Sequence, residues 1–588
     1  MLYLLNRFVE LIEKIGIHHM DKQSTTLENT NASSSTQKDV KLLIEYFYDW
    51  EEARANEVYL RQPKGDTWKE YTWGEVGNQV RRMASAIQAM NLPERSNIGI
   101  VSKNCAHWIM SDLAIIMSGH VSVPFYPTLQ ADQLNQVLTH SGCKVLFVGK
   151  LDDWPSMKDG IPSEVHCISY PESPSEAEGF TKWDDLIAKN EPLEGKPVAD
   201  PDDLATIIYT SGTTGMPKGV MHSYRTAIAP MLGAAPVLKV GSTEDRYFSY
   251  LPLCHIAERA IVETASLYSG GTVSFVESLD TFAKNLQDVS PTHFLAVPRI
   301  WTKFQLGVLE KMPQSKMNLM LKIPILSSIV KKKIRTALGL NEAKLLLTGA
   351  APMPPSLIEW YQKLGLNVRE AYGMTENGGC CTVSPDKGNK LGTIGKPYNG
   401  CDMKIEEDTG EICMRAPWVM TGYYKEPEIT AKVLKEGGWL HTGDQGEFDS
   451  DGFLKITGRV KDTFKSAKGE YIVPAPIEAK FAVNNNLEQV CILGRNLPQP
   501  VMLVVLSELG LQASKEEVKQ SLQETLTEVN AELVNYERLN KLIVVKEPWT
   551  VENKMLTPTL KIKRNVLEQH YQDSLLEWYE IKEKVIWE

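Results

Sequence analysis

Ten consecutive residues, Thr210-Ser211-Gly212-Thr213-Thr214-Gly215-Met216-Pro217-Lys218-Gly219, concentrate three glycines, four hydroxyl side chains and a lysine in one short stretch. Glycine lets a backbone approach a ligand closely, so that N–H groups face anionic oxygens. The hydroxyls add short donors, and Lys218 adds a mobile point charge. This composition suits a loop that holds phosphate. It departs from the nucleotide loop G-x-x-x-x-G-K-[ST], because Lys218 is flanked by Pro217 and Gly219. The alternative is a flexible Ser/Thr/Gly surface loop. Against it stands the apolar, β-branched run Thr206-Ile207-Ile208-Tyr209, which reads as a buried strand feeding the loop.

Four more segments carry reactive groups. Tyr372-Gly373-Met374-Thr375-Glu376 places an aromatic, a hydroxyl and a carboxylate within five residues. Such groups can stack on a base, donate to a phosphate and ligate Mg²⁺, or they can simply close a capped turn at a strand end. Gly438-Trp439-Leu440-His441-Thr442-Gly443-Asp444 puts a carboxylate on a predicted glycine turn, suited to accepting two hydroxyl hydrogen bonds. Thr457-Gly458-Arg459-Val460-Lys461-Asp462 and Leu556-Thr557-Pro558-Thr559-Leu560-Lys561-Ile562-Lys563-Arg564 supply cations.

In this order, these strings resemble the motifs of the adenylate-forming (AMP-binding) superfamily: acyl-CoA synthetases, luciferases and peptide-synthetase adenylation domains. The resemblance runs from about residue 45 to the C-terminus. It implies an α/β fold, with a large domain of parallel-rich sheets flanked by helices and a small mobile α/β C-terminal domain. It implies that Thr210, Ser211, Gly212, Thr213, Thr214, Gly215 and Lys218 grip the β- and γ-phosphates of ATP. Gly349, Ala350 and Ala351 would form the adenine-edge loop. Tyr372 would stack on adenine, in a nucleotide segment that includes Glu370, Ala371 and Gly373. Thr375 would contact the α-phosphate, and Glu376 with Thr213 would hold Mg²⁺. Asp444 would bind the ribose and Arg459 the ribose and phosphates. Lys461 would be the hinge, and Lys561 the lysine of the adenylation step. Lys561, Thr213 and Glu376 are the catalytic candidates.

Within the superfamily, Leu251-Pro252-Leu253-Cys254-His255-Ile256-Ala257-Glu258-Arg259 and Ser290–Trp301 resemble the acid-pocket segments of long-chain fatty acyl-CoA synthetases, including the bubblegum-type branch. His255 reads as either a pocket-lining or a core histidine. None of the first nine residues is the aspartate that would pair an amino-acid ammonium. The expected activity is ATP-dependent fatty acyl-CoA synthesis through acyl-AMP, with ATP, Mg²⁺ and coenzyme A. Alternatives are an acyl-AMP ligase loading a carrier protein, another carboxylic acid-CoA ligase, and a non-catalytic nucleotide-binding scaffold. Two departures are visible. Lys468-Gly469 and Tyr471 stand where long-chain relatives carry two glycines and an asparagine. Asn377 follows Glu376 where Thr or Ser is usual.

The elements that must position these groups follow from length and pattern. At 588 residues the chain exceeds one core, and 43% hydrophobic with 23% charged residues is ordinary globular composition. A net charge of −11 argues against nucleic-acid binding. Nine scattered cysteines suggest no disulfide framework and fit a reducing, cytoplasmic setting, and the adjacent Cys380 and Cys381 lack zinc-ligand spacing. Strands are predicted at Asn97–Val101, His120–Pro127, Lys144–Val148, Leu345–Leu347 and Val490–Leu493, and a helix at Ala106–Ser118. The alternation predicts largely parallel sheets. A polar, glycine-punctuated stretch at Asp449–Gly452 places a boundary near Arg459. The division is residues 1–39 as an extension, 40–459 as the large AMP-binding domain and 460–588 as the small lid domain.

Two apolar segments bear on membranes. Leu4, Phe8, Leu11, Ile12 and Ile15 share a helical face in Met1–His19, ahead of a Ser/Thr/Asn-rich linker at residues 21–37. That face suits a membrane surface or a docking partner; an upstream extension ahead of a start at Met20 is the third reading. Met317–Val330 is apolar and ends in Lys331-Lys332-Lys333, which fits either membrane contact or helix packing with a solvated basic end. The partners expected are a fatty acid and coenzyme A, with peripheral contact at the inner face of a membrane and a homodimer both left open.

Overall fold

The computed structural model describes residues 40–588 apart from 178, 211–216, 482, 552 and 558–560. The Met1–His19 helix and its linker lie outside the described residues, as do Ser211, Gly212, Thr213, Thr214 and Gly215.

Two large sheets form the body. One has eight strands, with Asn97–Val101 at the centre, parallel to Val121–Phe125 and Val145–Val148. Every residue of these three strands is buried. Continuous apolar runs of this kind are what a parallel sheet needs when both faces are covered. The other has nine strands, among them parallel Arg246–Ser249, His293–Ala296, Leu345–Thr348 and Val368–Tyr372. Flanking helices bury regularly spaced apolar residues. In Trp73–Ala89 these are Trp73, Val76, Val80, Met83, Ala84 and Ile87. That helix starts with a reciprocal cap: Glu75 N donates to Thr72 Oγ1 at 3.2 Å, and Thr72 N donates to Glu75 Oε2 at 2.8 Å.

The prediction of largely parallel sheets fails between residues 402 and 459. There Asp402–Ile405, Glu411–Arg415, Leu434–Lys435, Trp439–Phe448 and Leu454–Arg459 make a five-stranded antiparallel sheet. All but one of its connections are turns too short for a parallel crossover; the exception, from Arg415 to Leu434, carries strand Gly422–Tyr423 and helix Pro427–Val433. Asp449–Gly452 is one of these turns, so it marks a hairpin within the sheet.

From Leu487 onward, Leu487–Leu493, Val501–Leu506, Leu542–Val544 and Val585–Trp587 form a four-stranded mixed sheet. Apolar clusters cover both faces. One includes Ile492, Val504 and Leu542 with Leu522 and Leu526 of helix Lys515–Glu532. The other includes Leu493, Leu503 and Ile543 with Trp549, Tyr571 and Trp578. This part meets the body through an Arg299–Glu488 ion pair and Lys554 with Asp132 at 3.6 Å. No helix among the described residues is long and apolar enough to cross a membrane. All nine cysteines are free.

Candidate active site

Strand Leu204–Thr210 turns back on Lys218–Ser223, with Thr210 paired to Lys218. The phosphate-type motif therefore joins two paired strands, and the chain continues from it as strand Lys218–Ser223. Lys218 Nζ lies 5.1 Å from the centre of the Tyr423 ring. Tyr423 sits on a short strand, Gly422–Tyr423, paired to the same hairpin, and its hydroxyl donates to Glu376 Oε1 at 2.7 Å. One aromatic thus joins the hairpin lysine to the candidate metal carboxylate. The sequence reading missed Tyr423; the glycine-aromatic-aromatic run Gly422-Tyr423-Tyr424 was its only signal.

Strand Val368–Tyr372 delivers the second motif. Gly373 is needed because a Cβ there would stand 2.2 Å from the Gly379 carbonyl carbon. A short turn, Thr375–Asn377, follows. Asn377 is fully buried and accepts from Met374 N at 2.8 Å through Oδ1, so this departure from the usual Thr or Ser closes the turn. His222 Nε2 donates to the Thr375 carbonyl at 2.8 Å. Burial holds that ring down at about 4, so it is neutral. Glu370, on the same strand face as Tyr372, has its carboxyl pushed up to about 7 by burial. Its Oε2, with Thr348 Oγ1 and Ser384 Oγ on neighbouring chain segments, is buried without a partner among the described residues. Beside this row Gly349, Ala350 and Ala351 form an open loop, with Ala350 held at φ 66°. The left-handed backbone costs a non-glycine residue about 1 kcal/mol or more.

Asp444 is not on a turn. It lies in the ten-residue strand Trp439–Phe448, directly opposite Arg459. Gly443, at φ 77°, distorts that strand. Asp444 Oδ1 accepts from Arg459 Nε at 2.9 Å, and Oδ2 accepts from Tyr372 OH at 2.7 Å. Glu411 positions this segment. It accepts from Gly443 N at 2.8 Å and contacts His441 Nδ1 at 2.8 Å. Neither Glu411 nor its cross-strand role was legible in sequence.

Lys561 is tied back to Thr557: Lys561 N donates to Thr557 Oγ1 at 3.0 Å and Thr557 N donates to the Lys561 carbonyl at 2.8 Å. Its side chain keeps accessible surface, yet neighbouring protein crowds it. That crowding holds its pKa below the ordinary lysine value; Arg459 adds to the effect, while Asp444 and Glu376 oppose it. Lys218 is also lowered, first by burial and then by Lys461. Arg564 has other work: it makes a two-pronged ion pair with Glu478 at 2.8 and 3.0 Å.

His255 lies beside this group. Burial and then Lys561 hold its ring down at about 4, and its Nδ1 accepts from Ala257 N at 3.2 Å, capping the next turn. That turn continues into a π-helical segment, Arg259–Thr264. Arg259 donates to Asp112 Oδ2 at 2.7 Å, Glu263 Oε2 at 3.0 Å and Thr206 Oγ1 at 2.9 Å. Thr206 belongs to the strand that leads into the phosphate-type hairpin. Arg259 therefore fixes the acid-pocket-like segment against the hairpin's own strand.

The structure brings Lys218 near Lys461 and Glu376, and Lys561 near Arg459, Asp444 and Glu376, with Tyr372 hydrogen-bonded to Asp444. The chain belongs to the AMP-binding enzyme family, whose profile matches residues 47–424; the family's C-terminal domain profile matches residues 461–583. It is an adenylate-forming enzyme of the acid-thiol ligase type. Long chain acyl-CoA synthetase 6, peroxisomal, of Arabidopsis thaliana is 31% identical over 87% of this chain and 82% of its own length. Long-chain-fatty-acid–CoA ligase 5 of Rattus norvegicus is 28% identical over 98% of this chain and 95% of its own. Among solved structures, the adenylation domain of a carboxylate reductase from Mycobacterium chelonae superposes with TM-score 0.75 at 24% identity, covering 93% of this chain and 92% of that one. This last likeness concerns the fold.

Proposed function

We propose that the protein is an ATP-dependent fatty acyl-CoA synthetase acting on medium- or long-chain acids through an acyl-AMP intermediate. The observation that carries this reading is a gathering of charge. Cations from three distant parts of the chain, Lys218, Arg459 with Lys461, and Lys561, come together; burial lowers Lys218 and Lys561, and Lys461 and Arg459 respectively add to that. Such a gathering favours a polyanion. The unpartnered buried atoms of Glu370, Thr348 and Ser384 beside the Gly349–Ala351 loop support a polar, flat ligand such as a nucleobase there.

In this reading the hairpin residues and Lys218 hold the β- and γ-phosphates, and Tyr372 faces the base. Asp444 accepts from the ribose hydroxyls, and Arg459 orients Asp444. Glu376 offers a hard oxygen, suited to Mg²⁺; Tyr423 fixes one carboxylate oxygen and leaves the other available. A bound Mg²⁺ would neutralise phosphate charge. Lys561 stabilises the charge that builds as the carboxylate attacks the α-phosphate, a contribution made chiefly in the transition state. Lys561 near Arg459, Asp444 and Glu376 suits this first half-reaction. For thioester formation the lid, residues 460–588, turns about Lys461, and the coenzyme A thiol displaces AMP.

The long-chain assignment draws on the acid-pocket resemblance and on the named relatives; the bubblegum-type placement draws on the former alone. A fatty acyl-AMP ligase is the second reading, favoured by Lys468 and Tyr471. Only Gly469 in that hairpin turn takes a positive φ, 81°, so Lys468 adds no backbone strain in this arrangement. Tyr471 is exposed and its ring lies 4.7 Å from Lys465 Nζ. The test is pyrophosphate release with ATP, Mg²⁺ and acids from acetate to oleate, with and without coenzyme A, products being identified by mass. Acyl-CoA from the longer acids supports the synthetase. Accumulated acyl-AMP without thioester replaces it with the ligase, and no pyrophosphate with any acid overturns both.

A further inference from the structure

The Met317–Val330 segment is neither a packed core element nor one uniform helix. It belongs to two helices, Gln314–Leu321 and Pro324–Ala337, each with two distinct sides. Their inner side, Met317, Val330 and Ile334, packs in a cluster with Phe294, Trp301 and Tyr361. Their outer side leaves four large aliphatics open: Leu319 at 65%, Ile323 at 50%, Ile325 at 79% and Ile329 at 58% of full exposure. Ile325, Ile329 and Lys333 recur every four residues, so they lie along one helix face. Leu319 and Ile323 extend that face around the junction.

The charge around the patch is of one sign. Between Glu310 and Glu342 the chain carries Lys311, Lys316, Lys322, Lys331, Lys332, Lys333 and Arg335 and no carboxylate, although the whole protein has a net charge of −11. Lys316, Lys322, Lys332 and Lys333 are exposed, and they have no ion-pair partner among the described residues.

We propose that this outer face docks on an anionic lipid bilayer. The ring of lysines answers a surface of negative phosphates. The aliphatic side chains within the ring are of the kind that enter the boundary between headgroups and acyl chains. A protein partner fits less well: protein interfaces are enriched in aromatic side chains and depleted in lysine, the reverse of this patch. The inner side of the same helices packs on Phe294 and Trp301, from the segment that resembles the acid pocket, so the lipid surface would lie on the far side of that wall. The proposal stands on exposure and charge and does not depend on the reaction.

The test is co-sedimentation of the full chain with vesicles of phosphatidylcholine containing phosphatidylglycerol, and with pure phosphatidylcholine, at low and high salt. The unaltered protein is expected to bind the anionic vesicles, less so in high salt, and to ignore the neutral ones. K332E/K333E and I325S/I329S are each expected to weaken binding by about tenfold. Their melting temperatures should match the unaltered protein, because all four side chains are exposed; having two separate pairs keeps the test decisive if one melts early. Three results overturn the proposal: no binding to anionic vesicles, equal binding to neutral ones, or full binding by both variants. The last would assign membrane contact to another segment, such as residues 1–39. Loss of self-association in I325S/I329S with vesicle binding intact would also overturn it and make the patch an interface between copies.

Discussion

Two groups of charges in this molecule follow opposite rules. Around Arg259 every ion is matched: the guanidinium meets Asp112, Glu263 and a threonine hydroxyl, all buried. The buried Glu263 carboxyl is raised by burial and by Asp112 against the pull of Arg259. Around Lys561 the balance differs: burial and then Arg459 lower Lys561, and burial and then Lys461 lower Lys218. The first group holds two parts of the chain in register. In the second, Arg459 pairs with Asp444, while Lys218, Lys461 and Lys561 have no ion pair among the described residues. Charge pairing thus separates the scaffold from the site more sharply than burial does.

The largest expected effect falls on the scaffold. Arg259→Met leaves two carboxyls without their cation, and should cost about 3–5 kcal/mol of stability, since breaking a buried pair strands the remaining charge. Denaturant unfolding measures it. A loss under 1 kcal/mol would mean that the cluster is not a clamp.

Lys561→Ala should leave unfolding unchanged and reduce acyl-AMP formation by about a hundred- to thousandfold, as removal of one transition-state donor does. Single-turnover pyrophosphate release reads this directly. The protonated lysine is the active form and its pKa lies below the ordinary value. The rate of the unaltered enzyme should therefore fall as pH rises, beginning below the pH at which a free lysine titrates. An unchanged rate in the alanine variant would remove Lys561 from the chemistry.

Tyr423→Phe keeps the ring under Lys218 but releases Glu376. The concentration of Mg²⁺ needed for half-maximal rate should rise about tenfold, in line with loss of a group that orients a metal ligand. An unaltered requirement would detach Glu376 from the metal.

The smallest effect concerns Glu258, whose carboxyl is pushed up to about 8 by burial from an ordinary 4.5. Below 4.5 both folded and unfolded states carry the proton. Between 4.5 and 8 only the unfolded state ionises, so the unaltered protein loses stability as pH rises, with no further loss from this group above 8. Glu258→Gln lacks that loss. The melting temperature of the variant should gain on that of the unaltered protein between pH 5 and pH 8, by a few degrees. A pH-independent difference would mean that Glu258 is ionised in the fold.

Much of this was legible in advance because it is local. The run Asn97–Val101 can only be a covered strand, and so can the β-branched run Thr206–Tyr209 ahead of the glycine-rich motif. The fold class follows from such runs. Asp444 was misplaced on a turn because a glycine inside a strand is indistinguishable, in one dimension, from a glycine that ends one.

What the sequence could not supply was which charges meet. Tyr423 bridges Lys218 and Glu376, and Glu411 steadies Gly443, through strand pairing between segments tens of residues apart. Whether Ile325 and Ile329 faced the core or solvent turned on which side of a helix met Phe294 and Trp301. Composition along a chain determines what each segment can bury and what it can donate. Only packing in three dimensions decides which donors find acceptors and which are left for a ligand, because hydrogen bonds and Coulomb forces act over a few ångströms of space and take no account of separation along the chain.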